Sequence, residues 1–72
     1  MNKSIDGLKF IDWVMRDVYK VRTLAALSYI LEIDAAHLGK IRNNIMHTPA
    51  RILVRVHEDS GIPTKEIRRI VA

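Results

Sequence analysis

The stretch TLAALSYILEIDAAHLGKIRNN, residues 23–44, decides the fold of this chain. Its small and apolar side chains recur at helical spacing, and their register changes once, at residues 32–34. They are Ala25, Leu27, Ser28 and Leu31 before the change, and Ile33, Leu38 and Ile41 after it. Thr23 and Asp34 can each accept a backbone N–H of the turn that follows, which marks two helix starts. The pattern predicts two short helices joined by a tight turn.

These residues resemble the helix-turn-helix of the phage repressor and Cro family, the lambda-repressor-like DNA-binding domains. In that family the motif is commonly followed by a loop and two more helices, and HTPARILVRVHEDSGIPTKEIRRIVA, residues 47–72, is similar to that pattern. Ser28 stands where alanine is common, and Glu32 stands where a turn glycine is common. Glu32 must therefore adopt a left-handed conformation, at a cost of about 1 kcal/mol, or the turn has another geometry.

The resemblance implies a sequence-specific transcriptional regulator of double-stranded DNA, of the phage, prophage or plasmid repressor type. The second motif helix would enter the major groove and read base edges. Its base-reading positions are then Ala35, Ala36, His37, Lys40 and Asn43. Gly39 costs roughly 1 kcal/mol relative to alanine in mid-helix, and close approach either to DNA or to another helix would explain it.

The basic excess of the chain is concentrated behind the motif turn. The net charge is +4, and residues 37–56 hold four basic residues and no acidic one, whereas residues 1–36 hold five of each. A polyanion docked on the second motif helix would be attracted by this excess. The candidate phosphate contacts are Thr23, Arg42, Asn44, Arg51 and Arg55.

Arg51 and Arg55 form a like-charge pair at i, i+4, and we see no acid within a turn on the same face to relieve it. A phosphate would relieve it. The alternative is that both side chains lie along apolar surface with their charged ends in water.

Three further helices complete a compact all-α bundle of five. Ser4 or Asp6 can cap the first helix, and Asp12 with Arg16 forms an i, i+4 ion pair on its outer side. Trp13 on this helix is interpreted as a core residue rather than a base-stacking one.

The last two helices have clear signals. Thr48 as N-cap with Pro49 at the first helical position predicts the start of the fourth, and Gly61 predicts its end, with Ile62 packing back as in a Schellman motif. Pro63 then precedes a short fifth helix.

Length and composition exclude several classes of protein. Seventy-two residues allow one domain, residues 1–72, with a small core. The absence of cysteine excludes disulfides and thiolate metal sites and is compatible with a reducing compartment, so we expect a cytoplasmic protein. No targeting segment or membrane-spanning run is visible.

Catalysis and metal binding are not expected. His37, His47 and His57 fall on three predicted segments, and none has a second ligand at i+3 or i+4. The few serines lie in no nucleophile motif, and there is no phosphate-binding glycine loop. We therefore expect no metal, no cofactor and no small-molecule ligand.

A base-reading surface with two alanines and a glycine offers few contacts, so we expect a homodimer on an inverted repeat with half-sites about 34 Å apart. Apolar residues left over after one core is filled are the dimer candidates. They are Ile45 and Met46 in the loop, with Ile70 and Val71 as the other pair. The alternative function is a protein-interaction module, antitoxin-like or an adaptor, that uses Ala35, Ala36 and Gly39 with the same loop.

Overall fold

Helices make up all the regular structure of residues 5–72, which this computed structural model describes. In chain order they are α1 (Gly7–Trp13), a π-helical turn (Val14–Val18), α2 (Leu24–Leu31), α3 (Ala35–Arg42), α4 (Ala50–Ser60) and α5 (Thr64–Ile70). The predicted all-α fold with five helices is confirmed over these residues. Within this part of the chain, no helix combines the length and apolar character needed to cross a bilayer.

One apolar core joins the helices. Helix α3 packs against α1 and α2, while α4 packs against the π-helical turn and α5. The largest fully buried side chains are Phe10, Ile11, Val14, Leu27, Leu38, Ile41, Ile52, Val56, Ile67 and Val71. Trp13 is buried, as predicted for a core residue. The helical spacing of Ala25, Leu27, Ser28 and Leu31 predicts one buried face for α2, but Ala25 is exposed, so its inclusion in that face was wrong.

The predicted helix starts are only partly confirmed. Thr23 Oγ1 accepts the Ala26 N–H at 3.1 Å, and Asp6 caps α1 through Oδ1, whereas Ser4 lies outside the described residues. Asp34 occupies the N-cap position of α3 without a side-chain cap bond. The start predicted for α4 was one residue early, because Pro49 has an extended ψ of 144° and the helix begins at Ala50.

Left-handed residues end α2 and α4, and at Glu32 this is the first of the two alternatives that the sequence left open. Glu32 has φ 55° and ψ 45°, so the turn between α2 and α3 uses a strained non-glycine residue. Gly61 has φ 75°, and its N–H donates to the His57 carbonyl. The N–H of Ile62 donates to Ser60 Oγ at 3.1 Å, a bond to a side chain where a Schellman motif has one to a helix carbonyl.

Helix α1 lies against the last turn of α3 at Gly7. A Cβ at Gly7 would collide with the Ile41 carbonyl oxygen, so the two backbones are in direct contact. The Gly7 N–H donates to Asn44 Oδ1 at 2.8 Å, just beyond α3. Gly7 was not identified from the sequence, since a contact between positions so far apart leaves no periodic signal.

We expect Gly7→Ala to lower the free energy of unfolding by about 2 to 3 kcal/mol, because α1 must move away from α3. Gly39→Ala is the matched control. There the nearest atom to an added Cβ is Leu24 Cδ1 at 3.9 Å, and alanine should stabilise the helix by about 0.5 to 1 kcal/mol. Urea unfolding followed by circular dichroism measures both, and equal stabilities of the two variants would contradict the role given to Gly7.

Candidate nucleic-acid interface

The outer side of α3 presents small and hydrogen-bonding residues on a rigid support. Ala36, Lys40 and Asn43 are exposed, and Ala35 and Gly39 are partly so. Leu38 and Ile41 on the opposite side are fully buried, which fixes the rotation of the helix. The structure therefore places four of the five predicted base-reading residues, Ala35, Ala36, Lys40 and Asn43, on one surface. Together with Gly39, they form what we call the α3 surface.

His37, the remaining predicted base-reading residue, does not belong to this surface. Its side chain is partly buried, and its Nε2 atom is buried without a hydrogen-bond partner among residues 5–72. At about 100° per residue, His37 lies on the flank of α3 between buried Ile41 and exposed Lys40.

Gly39 has no explanation within the described fold. An added Cβ at Gly39 would meet only Leu24 Cδ1 of α2, at 3.9 Å, which is an ordinary van der Waals distance, so packing against α2 does not require a glycine here. Of the two explanations that the sequence left open, a helix packed so close to Gly39 that only glycine fits is not observed among residues 5–72.

Arg42 and Asn44 are engaged inside the fold. Arg42 Nε donates to Asp12 Oδ1 at 3.1 Å. Asn44 has a left-handed φ of 62°, accepts the Gly7 N–H and donates from Nδ2 to Asp6 Oδ1 at 3.3 Å. The Asn44 hydrogen bond, with the backbone N–H groups of the first turn, holds the pKa of Asp6 below its ordinary value. Both residues support α1 against α3, so their assignment as free phosphate contacts needs revision.

The predicted Asp12–Arg16 ion pair is absent from the described residues. Asp12 pairs with Arg42, while Arg16 pairs with Asp17 at 3.2 Å. The π-helical turn begins at Val14 and has more residues per turn than an α-helix, which changes the angle between positions 12 and 16. The i, i+4 rule therefore does not apply across it.

The charge of Arg55 is also paired with an acid, although the sequence predicted no acidic partner for it. Its Nε donates to Asp59 Oδ2 at 2.9 Å, one turn later on α4. The Tyr19 hydroxyl donates to the same oxygen at 2.7 Å, and this bond, more than the one from Arg55, lowers the pKa of Asp59. Arg51 is exposed and has no acidic partner among residues 5–72.

Three of the four dimer candidates are exposed and one is buried. Ile45 is 69% exposed and Met46 is 39% exposed. The backbone N–H groups of both residues donate to the Lys40 carbonyl. Ile70 is also exposed, next to exposed Leu8, but Val71 is 1% exposed and belongs to the core. Val71 was a wrong candidate, because the last turn of α5 directs it inward.

Thr23 remains exposed at the start of α2, where its hydroxyl oxygen already caps the helix. Residues 5–72 contain no group of three or more histidine, aspartate or glutamate side chains placed to hold a metal ion.

No protein-family model, no curated protein and no solved structure matches this chain. The function is therefore argued from the geometry of the described residues.

The Tyr19–Asp59 bond predicts a pH dependence of stability. Asp59 has a folded-state pKa below its ordinary value of 3.8, so the ionised carboxylate stabilises the fold above that pH, and the contribution is lost as the pH falls through the folded-state pKa. We expect Tyr19→Phe to cost about 1 kcal/mol at pH 7 and less at pH 3.

Urea unfolding at the two pH values measures this difference. Tyr29→Phe is the control, because Tyr29 is 88% exposed and its hydroxyl has no hydrogen bond to residues 5–72. It should leave stability unchanged at both pH values. A loss in Tyr19→Phe that is the same at pH 3 and pH 7 would show that Asp59 ionisation is not involved.

Proposed function

We propose that this chain is a sequence-specific regulator of double-stranded DNA in which α2, the turn at Glu32 and α3 act as a helix-turn-helix. The observation that carries the proposal is the α3 surface. It combines small side chains, two polar side chains without a partner among residues 5–72, and a mid-helix glycine that the packing of the described residues does not require.

The dimensions and chemistry of α3 suit a major groove. The groove admits one α-helix, and small side chains allow the helix backbone to approach the base edges. The Lys40 ammonium has no hydrogen bond or ion pair within residues 5–72, so it is available to guanine O6 or N7. Ala35 and Ala36 supply methyl contacts for thymine.

The ion pairs refine the electrostatic argument. Of the four cations in residues 37–56, Arg42 and Arg55 each have an acidic partner, whereas Lys40 and Arg51 have none in the described part. A phosphate can therefore bind Lys40 or Arg51 without displacing a carboxylate. We assign Arg51 to the DNA backbone and Lys40 to the bases.

The resemblance to phage repressors supports a repressor that acts as a dimer on an inverted repeat, in the cytoplasm, where such DNA is found. An antitoxin-like or adaptor module is the second candidate. It is favoured by Ile45, which is 69% exposed next to the α3 surface and would suit a protein partner better than a phosphate.

The deciding experiment is selection of bound sequences from a random duplex pool, followed by fluorescence anisotropy at several salt concentrations. A DNA regulator enriches an inverted repeat, and its affinity falls steeply with salt because phosphate contacts release counterions. Recovery of no preferred sequence together with salt-independent binding would reject the DNA-binding function.

Lys40→Ala should weaken binding to the selected site by about 1 to 3 kcal/mol, because a bidentate contact to guanine is lost, and should affect a random duplex less. The control is Lys65→Ala, an exposed lysine of α5 without an ion pair in residues 5–72. Anisotropy with both duplexes measures the difference. Equal losses on the two duplexes would assign Lys40 to the backbone.

The dimer prediction concerns the exposed loop. Ile45→Glu should weaken self-association without unfolding the domain, because Ile45 lies outside the core and only its backbone N–H is bonded. Ile70→Glu is the comparison, since Ile70 is exposed on the other candidate surface. Sedimentation at micromolar protein, with and without a selected duplex, measures association. A wild-type monomer that binds a non-repeated site one to one would contradict the dimer.

A further inference from the structure

Beside the α3 surface is a cleft that sequence analysis did not identify. It has a volume of about 690 Å³ and lies between the π-helical turn, the start of α2 and the end of α3. Its charged lining consists of Arg16, Lys20, Arg22 and Arg42, with Asp12 as the one carboxylate among its described lining residues. Its apolar lining consists of Met15, Val21 and Leu24, which pack against the core.

The cations of the cleft come from separate parts of the chain, and only the fold brings them together. Arg16 belongs to the π-helical turn, Lys20 and Arg22 to the connection before α2, and Arg42 to the end of α3. Like charges converging at one cleft repel each other, and an anion would relieve that repulsion. The guanidinium group in particular has the planar donor geometry that matches a phosphate.

Two of these cations are not neutralised by the described residues. Arg16 pairs with Asp17 and Arg42 with Asp12. Arg22 is exposed and has no hydrogen bond or ion pair within residues 5–72, and Lys20 Nζ has only the Asp17 carbonyl oxygen at 3.5 Å. The lining therefore keeps a positive charge that the fold itself does not use.

The backbone that forms the cleft is irregular. A five-residue π-helical turn forms one side of the cleft, and Lys20 has a left-handed φ of 55°. A left-handed lysine costs roughly 1 kcal/mol, and strained or π-helical segments occur often at binding sites. Both irregularities lie in the segment that carries Arg16, Lys20 and Arg22.

We propose that this cleft binds a phosphate group. The chemistry is the same for a phosphate of the DNA backbone and for a free phosphate compound. The position favours the backbone, because Leu24 of the cleft lies beside Gly39, and Arg42 follows Gly39 by three residues on the same flank of α3. A helix in the major groove has a phosphate strand along each flank. This assignment to DNA rests on the proposed function, whereas the phosphate site itself does not.

The test uses a cleft variant, Lys20→Gln with Arg22→Gln, and a control variant of equal charge, Lys65→Gln with Arg68→Gln in α5. Both sites of each variant are exposed, and glutamine at position 20 keeps a non-glycine residue at the left-handed position. Circular dichroism and urea unfolding should show both variants folded with nearly wild-type stability.

The first measurement titrates inorganic pyrophosphate into each protein without DNA and follows the arginine side-chain and backbone NMR signals. We expect wild-type shifts to be centred on residues 15–24 and 42, with binding about tenfold weaker in the cleft variant and unchanged in the control. The second measures duplex affinity against salt. Here the cleft variant should flatten the slope of log affinity against log salt by about one unit per lost phosphate contact.

The outcomes separate the two proposals. Effects of the cleft variant in both measurements support a phosphate site used by DNA. An effect on pyrophosphate alone supports the phosphate site and overturns its assignment to the DNA backbone. If the wild type binds no duplex, the proposed function fails, and the pyrophosphate titration still decides the cleft. If the cleft and control variants behave alike in both measurements, the phosphate site is wrong.

Discussion

The contact between the backbones of α1 and α3 is the constraint on which the rest of this structure depends. Gly7 allows α1 to lie against the Ile41 carbonyl, and the Asn44 amide binds the Gly7 N–H and the Asp6 carboxylate. Three contacts thereby join the end of α3 to the start of α1: the backbone contact at Ile41 and the two hydrogen bonds of the Asn44 side chain. Since this side of α3 is turned inward, the opposite side must face solvent. The α3 surface is therefore a consequence of packing on the other side of the helix.

The acidic residues divide the cations into two groups with different roles. Asp12 and Asp59 bind Arg42 and Arg55, which makes these arginines parts of inter-helix or intra-helix contacts. The exposed pairs contribute little to stability, about 0 to 1 kcal/mol each, but they remove the charge from competition for a ligand. A count of basic residues along the sequence cannot show this division, because it depends on which acids the fold brings near. The second group consists of cations without an acidic partner among residues 5–72, and it includes Lys40, Arg51 and Arg22.

Local signals in the sequence predicted the structure well, and long-range contacts were not predicted. The Thr23 cap and the Gly61 helix end each depend on a few neighbouring residues, and each is present, while a left-handed Glu32 was one of two alternatives for the turn. Gly7, the Asp12–Arg42 pair and the cleft depend on residues 30 or more positions apart or on three separate elements. The π-helical turn has no glycine or proline to mark it, so the Asp12–Arg16 spacing was misleading. In the candidate site, helical periodicity predicted the α3 surface, but the burial of the His37 Nε2 atom was not predicted.

The strained residues of the described chain bracket α2 and α3. Lys20 precedes α2, Glu32 lies between the two helices and Asn44 follows α3, and all three have φ between 55° and 62°. Asparagine tolerates this conformation, but lysine and glutamate do so at roughly 1 kcal/mol each, and Gly39 adds a similar cost within α3. A domain of this size has a total stability of only about 5 kcal/mol or somewhat more. Costs of this size lie around one helix pair, with none of comparable kind identified in α4 or α5, and this placement is consistent with the binding role proposed for α2 and α3. The left-handed connections turn the chain sharply at both ends of α2, which holds the cleft next to the α3 surface. A ligand that contacts both would meet a surface already in its bound geometry, so little binding free energy would be lost in ordering it.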